Sequence, residues 1–377
     1  MAVVVDQKKL TRQSIYQYIY QSDKPLTKGE IASGLKISLP TVYRSVGDLE
    51  KDNVIKLVEE VNEKGKRTPV GYAVNKDIAI AVGVAVSAYS LSLCVVNAKM
   101  EELGFKKVKV RSFDSEEIGR QIAEELPKFL FDFSLSAGKL QGLGISLPGI
   151  IDEDHNTVVF SPTLKMKNIK VDKMLECIPL DVPIYVDNDS TCAGYAEKDP
   201  FEKEQRNNTF AYIFLENGVG GSICIEGKPF FGVNHRSGEF GHMKVGTAGL
   251  PCTCGKEDCL EAYIGAGRFS SNMGILIEEF MEDMNKGNEE YKEMWIDGIK
   301  HLAVAINNLR TAFDCDIILG GFMTEHLEPY MDLLKEEVLK INAFEENADF
   351  IRIGNFARRS SVKGMARYVM TQFLENI

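Results

Sequence analysis

The chain has 377 residues, 44% of them hydrophobic and 26% charged, with a net charge of −11. At roughly 100–200 residues per domain, this length gives two or three domains of ordinary soluble globular type with ample core. The charge is uneven: residues 1–76 hold 13 Lys/Arg against 9 Asp/Glu, and the remainder 31 against 46. A basic head on an acidic body suits a polyanion-binding module joined to something that does not bind polyanions.

The opening "MAVVVDQKKL" lacks a basic n-region and has only a short apolar run, so no secretory signal is read. Eight cysteines without export point to a cytoplasmic, reducing setting and to thiols or metal, not a disulfide framework. In the head, "TRQSIYQYIYQ" puts Ile15 and Ile19 at helical spacing, and Ser22-Asp23-Lys24-Pro25 ends that helix. Thr27 can cap a second helix with Glu30 completing a capping box, and Gly34 closes it. Ser38 can cap a third, whose first turn tolerates Pro40. There Val42, Val46 and Leu49 share one face, so Thr41, Arg44, Ser45 and Asp48 are expected to look outward.

Two short helices and a tight turn form a helix-turn-helix whose second helix fits the major groove. Ser38, Thr41, Arg44 and Ser45 are its candidate DNA contacts. The following "VIKLVEEVNEKGKRTPVGYAV" reads as a hairpin with Lys64, Gly65, Lys66 and Arg67 at its tip. Lys66 and Arg67 would meet phosphates or the minor groove of double-stranded operator DNA. A three-helix interaction module without a nucleic-acid role is the plainer alternative.

The longest uncharged stretch, residues 78–97, is long enough to span a membrane. Its Ser87, Ser90, Ser92, Asn97 and Gly83 among many valines read instead as two strands joined by a tight turn. Strands are expected at Ile78–Val86, Leu91–Asn97, Lys106–Arg111 and "LQGLGISLPG", with a helix near 115–134. A second round starts at "TFAYIFLENGVGGSICIEGKPFFG", with helices near 266–283 and 290–313, strands "CDIILGG" and "DFIRIG", and a last helix near 360–375. Two such rounds imply two α/β lobes with a cleft between them.

"GEFGHMKVGTAGLPCTCGKEDCLEAY" resembles the signature of the ROK family (repressor, open reading frame, kinase). "SLPGIID", "VDNDSTCAGYAE", "ILGGF" and "VKGMARYV" resemble its other landmarks in order. The resemblance covers residues 78–377 and implies a two-lobed actin/hexokinase-like, ribonuclease H-like fold; the head matches the repressor branch. The implied α/β division is a winged helix-turn-helix over 1–75, a first lobe over 76–190 joined by 360–377, and a second lobe over 191–359.

His242, Cys252, Cys254 and Cys259 have the spacing H-x9-C-x-C-x4-C. One imidazole and three thiolates complete a tetrahedral Zn2+ site with no position left for water, hence a structural one. Chance cysteines, a redox pair and a DNA-reading finger are the alternatives. The second is disfavoured because Cys252 and Cys254 are too close for an easy disulfide. The third is disfavoured by the spacing and by Glu257, Asp258 and Glu261 beside the ligands.

Glu239 and Glu261 match family positions that bond sugar hydroxyls, and His242 would bind metal through one nitrogen and sugar through the other. Asn188 and Asp189 match further sugar contacts, Asp189 at the kinase-base position; as residues alone they could be helix caps. Asp258 and Thr163 stand where the family usually has Gly and Asn. The phosphate loops depart further, with Ala85-Val86-Ser87-Ala88-Tyr89 in place of an Asp-x-Gly-Gly-Thr-type loop and Glu216 in place of a glycine. A carboxylate there repels a triphosphate, so ATP is not expected to bind and no residue is assigned a catalytic role.

The expectation is a sugar-responsive transcriptional repressor, cytoplasmic, a homodimer or homotetramer, with structural Zn2+ and a carbohydrate effector that it does not phosphorylate. The alternatives are an active ATP-dependent sugar kinase with a DNA-binding head, and a DNA-binding protein whose body only dimerises.

Overall fold

The structure is a computed structural model describing residues 7–61, 67–152, 154–161, 163–201 and 208–377. The head comprises α1 (Gln7–Tyr20), α2 (Lys28–Leu35), α3 (Leu39–Lys51) and the antiparallel pair β1 (Ile55–Val61) and β2 (Arg67–Val74). Its caps form as the residue types dictate. Thr27 and Glu30 make a reciprocal capping box, and Ser38 accepts from the Thr41 N–H. The wing tip at Lys64, Gly65 and Lys66 lies outside the described residues, and of Arg67 only the backbone is described.

The body begins with β3 (Ile80–Val86), β4 (Ser90–Asn97), β5 (Glu102–Lys109), α4 (Ser115–Asp132) and β6 (Leu140–Leu147). There follow β7 (Ile150–Ile151), β8 (Thr157–Ser161), β9 (Met166–Lys170), α5 (Asp172–Glu176), β10 (Ile184–Asn188) and α6 (Asp189–Glu197). The first sheet runs β10-β6-β3-β4-β5, and β7-β8-β9 form a small sheet beside it. The third strand begins earlier than expected, at Glu102 instead of Lys106. Pairing with β4 extends it back through Gly104 to Glu102, ahead of the start that side-chain pattern alone suggested.

The second half contains β11 (Phe210–Leu215), β12 (Val219–Ile225), β13 (Lys228–Pro229), α7 (Leu260–Ile264), α8 (Ala266–Phe269), α9 (Ile277–Asn285) and α10 (Glu289–Phe313). It ends with β14 (Asp316–Gly320), α11 (Thr324–Leu327), α12 (Met331–Ile341), β15 (Ile351–Ile353) and α13 (Ser360–Leu374), its sheet running β13-β12-β11-β14-β15. The helix expected over 266–283 is broken in two. Gly274 at φ +72 takes a left-handed turn, and Ile275 N–H bonds back to Ser270 O, so α8 stops and α9 restarts.

Each sheet has a continuous apolar layer. Val82, Val84, Leu143 and Ile145 pack on α4, while Ile213, Ile317 and Leu319 pack with Trp295 and Leu302 of α10. Both strand sets are apolar on nearly every residue because helices cover both faces. Among the described residues no helix is long and apolar enough to cross a membrane.

Candidate functional site

On the head, Thr41 and Arg44 of α3 are exposed, with the hydroxyls of Ser38 and Thr41 2.7 Å apart at the start of the helix. Ser45 does not look outward: it is buried with Val42, Val46 and Leu49. At about 100° per residue, Ser45 lies about 60° from Val42 and about 40° from Leu49, at the margin of the apolar stripe. Tyr43, 55% exposed, takes the outer face instead, with Lys28 Nζ 4.3 Å from its ring centroid. An aromatic beside an apolar helix stripe reads as core, so no local pattern points to it. Asp48 is half-buried and pairs with Lys8 at 3.4 Å.

In the second half, the loop before α7 doubles back through bridges Lys244–Cys259 and Pro251–Glu257. His242, Cys252, Cys254 and Cys259 therefore converge, one ligand atom from each lying within 4.8 Å of the others. Cys254 Sγ lies 3.7 Å from Cys259 Sγ, and Cys252 Sγ lies 3.6 Å from His242 Nδ1. A tetrahedral ion with bonds of about 2.3 Å to sulfur and about 2.0 Å to nitrogen has edges of about 3.5–3.8 Å. The group thus fits a metal ion of that geometry.

Asp258 explains how the loop tolerates a residue other than glycine. It sits at φ +62, a region Asp enters more readily than most residues. Its carboxylate accepts the Tyr263 hydroxyl (2.7 Å) and the N–H groups of Gly249 (2.9 Å) and Leu250 (3.1 Å). The Tyr263 hydroxyl is the main cause holding this carboxyl below its ordinary pKa.

Beyond the clamp lies a row of carboxylates. His242 presents its other nitrogen, Nε2, 4.0 Å from Glu239 Oε2. Glu261 accepts from Thr253 Oγ1 at 2.5 Å and from Val219 N–H at 3.1 Å, which ties the clamp to the turn between β11 and β12. Burial raises the pKa of Glu239, with the charge of Glu261 adding to it against the lowering by His242. Burial likewise pushes Asp189 up to about 7, helped by Glu239.

Asn188 is the N-cap of α6, accepting from the N–H groups of Ser190 (2.9 Å) and Thr191 (3.2 Å), while its amide donates to Gly149 O at 2.6 Å. Its side chain is therefore engaged structurally, as the capping alternative expects. Thr163 is exposed.

The turn between β3 and β4 is closed by Ser87 N–H donating to Ser90 O at 2.8 Å, and Tyr89 stands 78% exposed at its tip. Opposite, Glu216 Oε1 accepts the Phe322 N–H at 3.0 Å, occupying a backbone donor at the turn after β14. Burial pushes the Glu216 carboxyl up to about 7, and the charge of Asp189 adds to the shift. Glu216 and Phe322 are 106 residues apart, so no local pattern could reveal the contact.

A single helix joins these groups to the head. α13 lies along α6 so closely that a Cβ on Gly364 would fall 1.7 Å from Cys192 O. Beyond its far end, Ile377 O accepts from Arg12 Nε and Glu375 O from Gln13 Nε2, both at 2.9 Å. Ile15, Tyr16 and Ile19 share one apolar cluster with Met370, Leu374 and Ile377.

The ROK family model matches residues 81–372. The chain belongs to the ROK family. A winged helix-turn-helix DNA-binding model matches residues 9–56 of the same chain. This ROK protein is 24% identical to a putative xylose repressor of a Caldicellulosiruptor species, covering 93% of each chain. It is 28% identical to an N-acetyl-D-glucosamine kinase of Vibrio atlanticus, over 68% of this chain and 87% of that one. Among solved structures, a ROK family transcriptional regulator described as a homolog of E. coli MLC protein superposes with a TM-score of 0.76 at 18% identity, covering 98% of this chain and 97% of that one. The winged head followed by an actin/hexokinase-like body is thus the fold expected from the sequence.

Proposed function

We propose that this ROK protein is a sugar-responsive DNA-binding repressor whose kinase-like body binds a carbohydrate without phosphorylating it. The observation that carries the reading is the continuity of α13, packed at Gly364 on the helix α6 that Asn188 caps and fastened to α1 through Glu375 and Ile377 just beyond its other end. A ligand that changes how α6 sits must move α13, and with it the head. The sugar needs differential affinity for the two arrangements to do so. The pairing of a winged head with a relative named as a xylose repressor supports the same assignment.

Asp189, Glu239, Glu261 and His242 Nε2 would receive the sugar hydroxyls, since carboxylates accept several such bonds. Asn188 would orient Asp189 through the cap. Three thiolates and an imidazole favour Zn2+ over harder cations, and with four protein ligands the ion would fix the loop and supply no reaction chemistry. Glu216 supports the absence of phosphoryl transfer: its carboxylate already holds the Phe322 N–H and would repel nucleotide phosphates. We take 1–75 as the head, 76–190 with 360–377 as one lobe and 191–359 as the other, in a cytoplasmic homodimer or homotetramer matched to paired half-sites.

The test is operator-fragment binding by the purified full-length protein, by fluorescence anisotropy, with and without a panel of hexoses, pentoses and N-acetylated sugars. A sugar that shifts binding while a coupled assay detects no ATP consumption is the expected result; turnover of ATP with any of them overturns it. In the same assay Arg44→Ala should weaken specific binding by about 1–3 kcal/mol. Ser45→Ala should act through folding stability and leave sequence preference unchanged.

A further inference from the structure

A cavity of about 490 Å3 opens at the free edge of β10, the end strand of the first sheet. This is within the size range of small-ligand sites, about 300–1,000 Å3. Its wall is apolar at Val171, Leu175, Ile184 and Met365 and aromatic at Tyr185 and Tyr368. The two tyrosine rings meet edge to face at 5.4 Å, and Tyr368 is stacked on Tyr195 at 4.6 Å, which holds its ring in place.

The polar groups around it share one character. Asp154 and Asp172 are exposed members of the lining, and Asp187, 5% exposed, lies deeper. Asp187 accepts the N–H of Asn188 at 2.8 Å and the Tyr195 hydroxyl at 3.1 Å. Asn156 contributes a buried Oδ1 with no hydrogen-bond partner among the described residues. Among the described residues no Lys or Arg lines the cavity. His155 turns its Nδ1 to Val186 O at 3.0 Å, 3.9 Å from Asp187 Oδ1.

This site is separate from the carbohydrate groups. None of Asn188, Asp189, Glu239, His242 and Glu261 lines it, although Asp187 reaches α6 through the Tyr195 hydroxyl.

We propose that this cavity binds an organic ammonium ion, a linear diamine or polyamine. Three carboxylates and an unpaired carbonyl oxygen offer acceptors to a ligand made of donors. The tyrosines suit an ammonium's methylene neighbours and its charge. An anion would be repelled by the three aspartates, and a neutral polyol would leave their charge unanswered.

The site also adjoins the cleft. The His155 ring packs edge-on against Phe231 at 5.7 Å, and Phe231 stacks on His235 at 4.9 Å, in the segment leading to Glu239. An occupant would therefore brace the wall on which this ring cluster rests.

The experiment is isothermal titration of the full-length protein, without sugar, with 1,5-diaminopentane and spermidine. Pentane-1,5-diol serves as the neutral isostere and Mg2+ as the inorganic cation. Saturable binding of one amine per chain and no binding of the diol are expected. Asp172→Asn, at the exposed start of α5, should weaken binding about two- to fivefold. Asp187→Asn should weaken it about thirtyfold or more.

The exposed Asp172 variant keeps the test valid if the buried one fails to fold. Absence of saturable amine binding, equal binding of the diol, preference for Mg2+, or indifference to Asp172→Asn each overturns the proposal.

Discussion

The two sides of the proposed ligand cleft are arranged in opposite ways. On the clamp side, Glu239 and His242 Nε2 stand near each other at 4.0 Å with polar atoms left to offer a ligand. On the phosphate-loop side, the protein fills its own site: Glu216 answers the Phe322 N–H, and the Ser87–Ser90 turn is closed by its own bonds under an exposed Tyr89. A binding site can be silenced without disturbing a fold by supplying from within the group a ligand once brought. In the proposed reading the Glu216 carboxylate would do this to an anion site, because it repels phosphate and already holds a backbone donor beside it.

The largest effect that could break this contrast concerns the clamp. Cys259→Ser, or exhaustive chelation, should lower the melting temperature by about 5 °C or more and abolish the sugar-induced shift. If both values survive, the loop is not held by metal. Next is the self-filled side. Glu216→Ala leaves the Phe322 N–H without its acceptor and should cost about 1 kcal/mol in urea denaturation, with ATP turnover still undetectable because the first loop remains unsuited to phosphate. Gain of turnover would show that Glu216 alone silences the site.

The smallest effect is a pH slope. Asp189 and Glu216 both have carboxyls raised to about 7 by burial, so the folded chain holds protons that the unfolded chain has already released above about pH 4. Their contribution to stability is complete below about pH 4 and is lost as the pH rises through 7. Asp189→Asn should flatten part of that decline in melting temperature. Sugar binding, which favours the ionised acceptor, should release protons near pH 7 in the parent and release fewer in this variant, as read by calorimetry in two buffers.

Much of this was legible in the sequence where a residue's role is local. Thr27, Glu30 and Ser38 cap their helices because the capping atoms lie three residues apart, and the cysteine spacing names its own cluster. Ser45 was misplaced by a quarter-turn of helix, since a small polar residue at the margin of an apolar stripe can face either way. Asp258 was visible only as a departure from glycine; that its carboxylate would gather Gly249, Leu250 and Tyr263 depends on a loop that closes in three dimensions. Glu216 with Phe322, the cavity beside β10 and the grip of α13 on α1 all join segments distant along the chain, and no periodicity records such pairings.

The length of α13 sets a scale for signalling. Its 15 residues span about 22 Å at 1.5 Å per residue, of which about 15 Å lies between Gly364 and Leu374, so a tilt of about 5° at the Gly364 contact displaces the far end by about 1.3 Å. Half-sites on DNA lie about 34 Å apart, and two heads must meet both at once. In the proposed homodimer, a shift of that size in each head, in opposite directions, would change their separation by about 2.6 Å. In the proposed repressor the helix would work as a lever that turns a small angular change into a mismatch of span.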